Sequence, residues 1–462
     1  MKRGERWLAG LVATAILARA AAVLVLQSHH VPRSTYEHGE IAASLVAGRG
    51  FSMHFLGADG PTSQQAPMYP LIVAAAYAVG GVDQPQALLI LELGQALLGG
   101  LMVLGVFRLA RWISPDRPAV AWWGAAVAAF HPTLVYAATH VQVALLAATL
   151  VVWTLVWATR LAETRRTRDA VGCGLLLAIC ALTDPILSLV GLGVLAALFL
   201  TNAATNRRPV WRLSAVVIVS AALGITPWVI RNAYIHGEFV PIKSTFGYAF
   251  WQGNCAISEG TDKVVRTSVE NVMNDARQTG DLASYNQTIW KARHTAGYID
   301  DIALTKEDRR WLGTLPEPER SRVLLRRAID DIRRDPARYA GLCLRRFRAF
   351  WLFDETNPRS RVLVYRASHL ALTGLALLGL ATAGPGMRRR FIPLIATAAA
   401  ISLFHALTIV SARFHIPIEP LMAVWAGVGM TWLMETIAIL SPRRSEMTPG
   451  RLEHVRVIGR LG

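Results

Sequence analysis

Charged side chains are scarce in this chain. Asp, Glu, Lys and Arg make up 17% of its 462 residues, against 53% hydrophobic ones, which excludes an ordinary soluble protein of two or three domains. Cysteine is scarcer still, four in all, and no pair has the spacing of a structural metal site. Cys173 and Cys180 fall in an apolar run and read as packing residues. Cys255 and Cys343 lie in the one large polar segment and could pair if it faces an oxidising compartment. A Gly-rich phosphate loop is not evident, so no nucleotide site is expected. The formal net charge is +17, yet the arginines form short clusters between apolar runs. No basic stripe is interleaved with aromatics, so nucleic acid is not an expected partner. Charge inside the apolar runs is sparse and no two halves match, which weighs against a transporter or flippase built from repeats.

What the chain has in quantity is apolar runs approaching the roughly 20 residues that cross a bilayer. They cover 7–27, 86–107, 119–139, 143–158, 170–182, 186–200, 213–230, 364–382, 391–410 and 417–439. The expected fold is an all-α polytopic membrane protein, a helical bundle of about ten transmembrane helices. The first run imitates a signal peptide. It is long, Arg19 interrupts it and no small-x-small site follows, so it reads as an uncleaved helix with Lys2, Arg3 and Arg6 inside. The segment 67–80 is apolar but short, the length of an interfacial helix. If it does not cross, RLARWISPDR, RLAETRRTR, NRRPVWR, MRRR and PRR all fall on the cytoplasmic side with KRGER, as the positive-inside bias requires.

The domain reading follows. A transmembrane module spans 1–230, with an outer loop at 28–66 and the interfacial helix at 67–80. An extracytoplasmic helical insertion spans 231–361, transmembrane helices occupy 362–440, and a cytoplasmic tail spans 441–462. In the insertion, ERSRVLLRRAIDDIRR puts Val323, Leu324, Ile329 and Ile332 near one side of a helix. ARYAGLCLRRFRAFWLF reads as a basic amphipathic helix suited to anionic lipid headgroups.

All the unusual polar residues thus collect on one membrane face. Glu37 opens a helix running to about Ala47 and stopping at Gly48. Ser34-x-x-Glu37 also fits a capping box, which would give the carboxylate a purely local role. Glu40 reads as a solvated charge or a second candidate carboxylate. Glu37, His38, Glu40 and His54 have permissive ligand types for a divalent cation, though not a known spacing. Tyr69, between two prolines, marks either a helix start or a substrate wall. His140 and Gln142 lie at the outer end of a helix pair, and Asp184 before Pro185 reads as a helix cap. Arg231 and Lys243 are cations near the outer interface that suit either a phosphate or lipid headgroups. Arg413 and His415 fall in a very short outer turn, against the cytoplasmic bias for arginine, which favours a bound anion.

At these residues the chain resembles the GT-C glycosyltransferases, in particular bacterial relatives of protein O-mannosyltransferases and of the aminoarabinose lipid A transferase. Four places carry the resemblance. They are Tyr36-Glu37 with Gly48-Arg49-Gly50-Phe51; Ala66-Pro67-Met68-Tyr69-Pro70; Thr226-Pro227-Trp228 with Arg231-Asn232 and Trp251-Gln252-Gly253-Asn254; and Arg413-Phe414-His415 with Pro417, Glu419 and Pro420. The resemblance implies a GT-C-like bundle with juxtamembrane helices on the outer face, in a bacterial inner membrane, with both termini cytoplasmic. It implies transfer of a sugar from a polyprenyl-phosphate donor to a glycan, lipid or protein acceptor, with inversion. It puts the base at Glu37 and substrate contacts at His38, Glu40, Tyr69, His140, Gln142, Arg231, Lys243, Arg413 and His415. No cofactor is assigned with certainty, and a divalent cation at the Glu37, His38, Glu40 and His54 set is the one candidate. Where relatives hold a second carboxylate this chain has Gln142, and where one branch holds a lysine it has Ala66. The rival classes are a transporter or flippase and a non-catalytic membrane assembly protein.

Overall fold

The computed structural model describes residues 3–31, 34–200, 209–264, 271, 281–295 and 297–440; the tail expected at 441–462 lies outside them. Hydrocarbon offers the backbone no hydrogen bonds, so apolar runs must satisfy their own N–H and C=O groups as helices. All ten runs are helical. The N-terminal module comprises α1 (Arg3–Leu26), α2 (Tyr36–Val46), a hairpin of β1 (Ser52–Phe55) and β2 (Ala58–Pro61), α3 (Met68–Gly80) and α4 (Pro85–Ile113). It continues through α5 (Pro118–Phe130), α6 (Pro132–Tyr136), α7 (Ala144–Thr164), α8 (Thr167–Thr183), α9 (Val190–Leu200) and α10 (Val210–His236). The insertion carries α11 (Phe246–Asn254), α12 (Leu282–Thr295), α13 (Ile299–Ala303), α14 (Lys306–Gly313), α15 (Glu317–Arg334) and α16 (Pro336–Trp351). The chain then forms α17 (Leu363–Thr382), α18 (Pro385–Leu407) and α19 (Glu419–Leu440).

Seven helices are long and apolar enough to cross a membrane by length and composition, among the described residues. They are α1, α4, α7, α10, α17, α18 and α19. The runs at 119–139, 170–182 and 186–200 give shorter helices. The first breaks at His131, whose backbone is extended (φ −61°, ψ 119°), because Pro132 has no N–H and pushes the residue before it out of the helical region. The break strips partners from the last carbonyls of α5. Arg19, fully buried with Ala15 and Val23 on the narrow inner face of α1, takes them over, donating to Ala128 O at 3.0 Å and Ala129 O at 2.9 Å.

α17 and α19 run backbone against backbone. A Cβ at Gly379 would collide with the carbonyl oxygen of Trp425, and one at Gly429 with that of Leu375. Gly379→Val is therefore expected to cost about 1–3 kcal/mol by overpacking. Gly374→Val, where a Cβ meets nothing within 4 Å, lacks that collision. Thermal unfolding of the two variants in detergent checks the difference.

Three further details come from the packing. The outer loop holds an antiparallel hairpin, pairing Phe55 with Ala58 through a Leu56–Gly57 turn with positive φ at both residues; Gly57 packs against the backbone of Arg309. In α15 the buried line is Ser321, Leu324 and Ala328, with Val323, Ile329 and Ile332 only half-buried. Cys255 and Cys343 are both free. The basic helix α16 also spends two arginines internally. Arg346 donates to Gly253 O at 2.6 Å and Ala406 O at 3.1 Å, and Arg338 to Cys255 O at 2.8 Å. Both answer carbonyls at the ends of α11 and α18, where a helix leaves them unpaired.

Candidate active site

A cavity of about 550 Å³ lies at one end of the spans. Its walls come from the start of α2, the turn before α7, the end of α8, the segment between α10 and α11, α11 itself, α12 and the turn after α18. Glu37, His38, His140, Gln142, Lys243 and Arg413 all line it. Residues separated by nearly the whole chain thus share one chamber.

Glu37 is half-buried on its wall. The capping box is not formed. The Ser34 hydroxyl has no hydrogen-bond partner, and the cap residue Thr35 makes no side-chain bond to the helix backbone, its hydroxyl donating instead to Asp83 Oδ1 at 3.4 Å. A different device fixes the start of α2. Tyr36 holds φ 48°, a region that bulky residues avoid unless their surroundings impose it. Its ring stacks on Trp290 (6.1 Å) and His294 (5.8 Å), with the Arg293 guanidinium 5.3 Å over it. These contacts from α12 set the direction in which the next side chain, Glu37, leaves the helix. Burial first, then the carboxylates of Asp300 and Glu37, push the Tyr248 phenol up.

His38 packs edge-on against Tyr69 at 4.9 Å. Burial, then the charges of Lys243 and Arg413, hold its imidazole down at about 3, so it is neutral at working pH. Tyr69 itself lies behind the wall and donates to Gln95 Oε1 at 3.0 Å. The same Gln95 amide donates to Ala138 O at 3.1 Å and His140 O at 2.6 Å. One residue of α4 thereby ties α3 to the turn that presents His140 and Gln142. Burial, followed by Arg359 and Arg293, keeps His140 well below the usual imidazole range. The Gln142 amide nitrogen is buried without a protein acceptor and stands as a neutral donor on the cavity wall.

Lys243 donates to Gln65 Oε1 at 3.1 Å, and the Arg413 guanidinium sits 5.6 Å from the Phe414 ring. Among the described residues neither cation has a carboxylate ion-pair partner. Arg293 is a third cavity cation that sequence reasoning missed, its helix reading as a soluble one. Lys263 secures that helix by donating to Arg293 O at 2.5 Å; burial, then Arg293, holds its ammonium down at about 7. Asp184 and Asp262 add carboxylates to the lining. Asp184 also caps the turn at Pro185, accepting from Ile186 N at 3.3 Å.

Besides Tyr69, four sequence candidates lie outside the lining. Glu40 is exposed and accepts from His54 N at 2.5 Å, while His54 pairs with Asp59 at 3.0 Å on the hairpin. The set Glu37, His38, Glu40 and His54 is therefore split between cavity and surface. Arg231 donates to Thr62 O at 2.6 Å and Phe51 O at 3.1 Å and rests on Trp228 at 4.7 Å. It fastens the outer loop to α10. Asn232 beside it donates to Val240 O and Ile242 O, both at 3.1 Å, fixing the backbone just before Lys243. His415 turns away toward Glu419.

Fold and site together define a polytopic helical membrane protein with a polar, cation-bearing chamber at one end of its spans. No protein-family model matches the chain, and no curated protein matches it. Among solved structures it is similar to ArnT from Cupriavidus metallidurans, both bound to undecaprenyl phosphate and in the apo state. Identity is 16%, 97% of this chain is covered with 82% and 81% of that chain, and the TM-score is 0.41 in each case. Likeness at that level leaves the assignment to the residues of this chain.

Proposed function

We propose that the chain is a membrane glycosyltransferase. It moves a sugar from a polyprenyl-phosphate donor to an acceptor hydroxyl on the extracytoplasmic face, with inversion. The observation that carries this reading is the pairing, in one cavity, of a carboxylate freed from capping duty with cations that lack carboxylate partners. Glu37 accepts the acceptor's proton as its oxygen attacks the anomeric carbon. The bond from that carbon to the phosphate oxygen breaks on the opposite side. The lipid phosphate leaves with its charge met by Lys243, Arg293 and Arg413. Gln142 supplies a neutral hydrogen-bond donor. Apolar wall residues such as Ile186, Ile225 and Phe404 suit the first isoprene units.

The test is transfer of labelled sugar from a polyprenyl-phosphate donor to an envelope fraction by the purified chain in vesicles. Movement of label into glycan, lipid or protein supports the reading. Translocation of the donor with its sugar uncleaved defeats it in favour of a flippase. His38 gives a pH prediction. Because burial and two cations disfavour its charged form, it stays neutral until about pH 3. His38→Gln should therefore leave the acid limb of the pH–rate profile in place, whatever it does to the maximum; a displaced limb would show that His38 titrates during the reaction.

A further inference from the structure

Away from the cavity, three imidazoles and a carboxylate meet in the bundle. His131 comes from the break between α5 and α6, His369 from α17, His415 from the turn after α18, and Glu419 is the first residue of α19. Glu419 is 0% exposed, His369 1%, His415 2% and His131 6%. His131 Nε2 stands 3.6 Å from Glu419 Oε2. His369 Nδ1 is 3.7 Å and His415 Nε2 3.2 Å from Glu419 Oε1. His131 Nε2, His369 Nδ1 and both Glu419 oxygens are buried without a hydrogen-bond partner.

The spacing decides between two accounts. A charge-assisted hydrogen bond would draw imidazole and carboxylate to about 2.8 Å. Two ligand atoms each about 2.1 Å from a tetrahedral ion stand roughly 3.4 Å apart. The His131 and His369 separations fall near the second value and beyond the first. One ligand atom each from His131, His369 and Glu419 lie within 4.8 Å of one another. The tautomer agrees. His369 Nε2–H donates to Trp351 O at 2.9 Å, which leaves the Nδ1 lone pair for a metal, the usual outer-shell arrangement of a ligating histidine.

We propose that His131, His369 and Glu419 bind a divalent first-row transition ion, zinc by the nitrogen and oxygen donor set. His415 orients the carboxylate from the side. The ion joins three parts of the bundle that no disulfide connects among the described residues. It also anchors the turn in which His415 follows Arg413 and Phe414, two residues of the cavity wall. The site stands apart from the catalytic assignment and is tested without it.

Tag-free protein purified in detergent without chelator is expected to carry about one zinc per chain by plasma mass spectrometry. After chelation and cobalt loading it is expected to show the visible absorption of tetrahedral Co(II). Glu419→Gln and His369→Asn should lower the retained zinc about tenfold or more and make thermal unfolding insensitive to chelator, while a chelator lowers the melting temperature of the unaltered chain. Folded, monodisperse unaltered protein that neither retains zinc nor develops the cobalt spectrum overturns the proposal and leaves a buried histidine–carboxylate cluster. Full zinc retention in both variants overturns it too. The cobalt measurement uses the unaltered chain, so a variant that fails to fold does not remove the test.

Discussion

Glu37→Gln is expected to lower sugar transfer by about 10²–10⁴-fold, the range a general base contributes, with donor binding and the elution profile in detergent unchanged. The amide is isosteric and cannot accept the proton. A structural role for the carboxylate would predict something else. If it closed a capping box, glutamine could still close it, and transfer would fall only as far as stability did. The orphaned Ser34 hydroxyl removes that explanation. The paired variant Glu40→Gln separates the two carboxylates of the loop. Glu40 is exposed and bonded to the backbone of His54, so its loss should leave the rate close to the unaltered value. Initial rates with labelled donor, normalised to folded protein, decide between them. Full activity in Glu37→Gln would make the base assignment wrong.

The second large effect is expected from the cations. Arg413→Ala should reduce turnover by about 10²–10³-fold, the loss seen when a group aimed at developing charge is removed from a water-poor site. Arg413→Lys should recover part of it, because lysine restores the charge without the planar fork that matches phosphate. Lys243→Met should act in the same direction, and the double variant should lose less than the product of the single effects, since both answer one leaving group. Arg231 supplies the contrast. Its guanidinium is spent on Thr62 O and Phe51 O, so Arg231→Ala should lower yield and melting temperature while the folded fraction keeps much of its turnover. Rates measured beside unfolding curves distinguish the two kinds of arginine.

The helices were legible in the sequence because each is a local consequence of hydrophobic length. What was not legible depends on what stands opposite. Pro132 was in plain view, yet 119–139 reads as one run until the freed carbonyls of α5 are seen to have Arg19 waiting for them. Glu37 and Arg413 could be named from their loops, the first against a local alternative that only the unused Ser34 hydroxyl dismisses. Arg293 could not, since nothing near it marks it as part of a chamber whose other walls begin at residue 36. The same limit hid the metal-ligand cluster. His131, His369 and Glu419 are unremarkable one by one, and only the packing of α5, α17 and α19 brings them within ligand distance.

Arg19 bears on how the chain enters the membrane. A lone arginine at the centre of a helix opposes insertion by about 2.5–3.5 kcal/mol, and two of the three carbonyls that accept protons from Arg19 lie 109 and 110 residues further along. When α1 leaves the ribosome, α5 has not yet been made. Until then the one carbonyl partner that Arg19 can reach within its own helix is Ala15 O, at 3.0 Å. Chain order, and not the hydropathy of the first run, sets when the bonds from Arg19 to α5 can form.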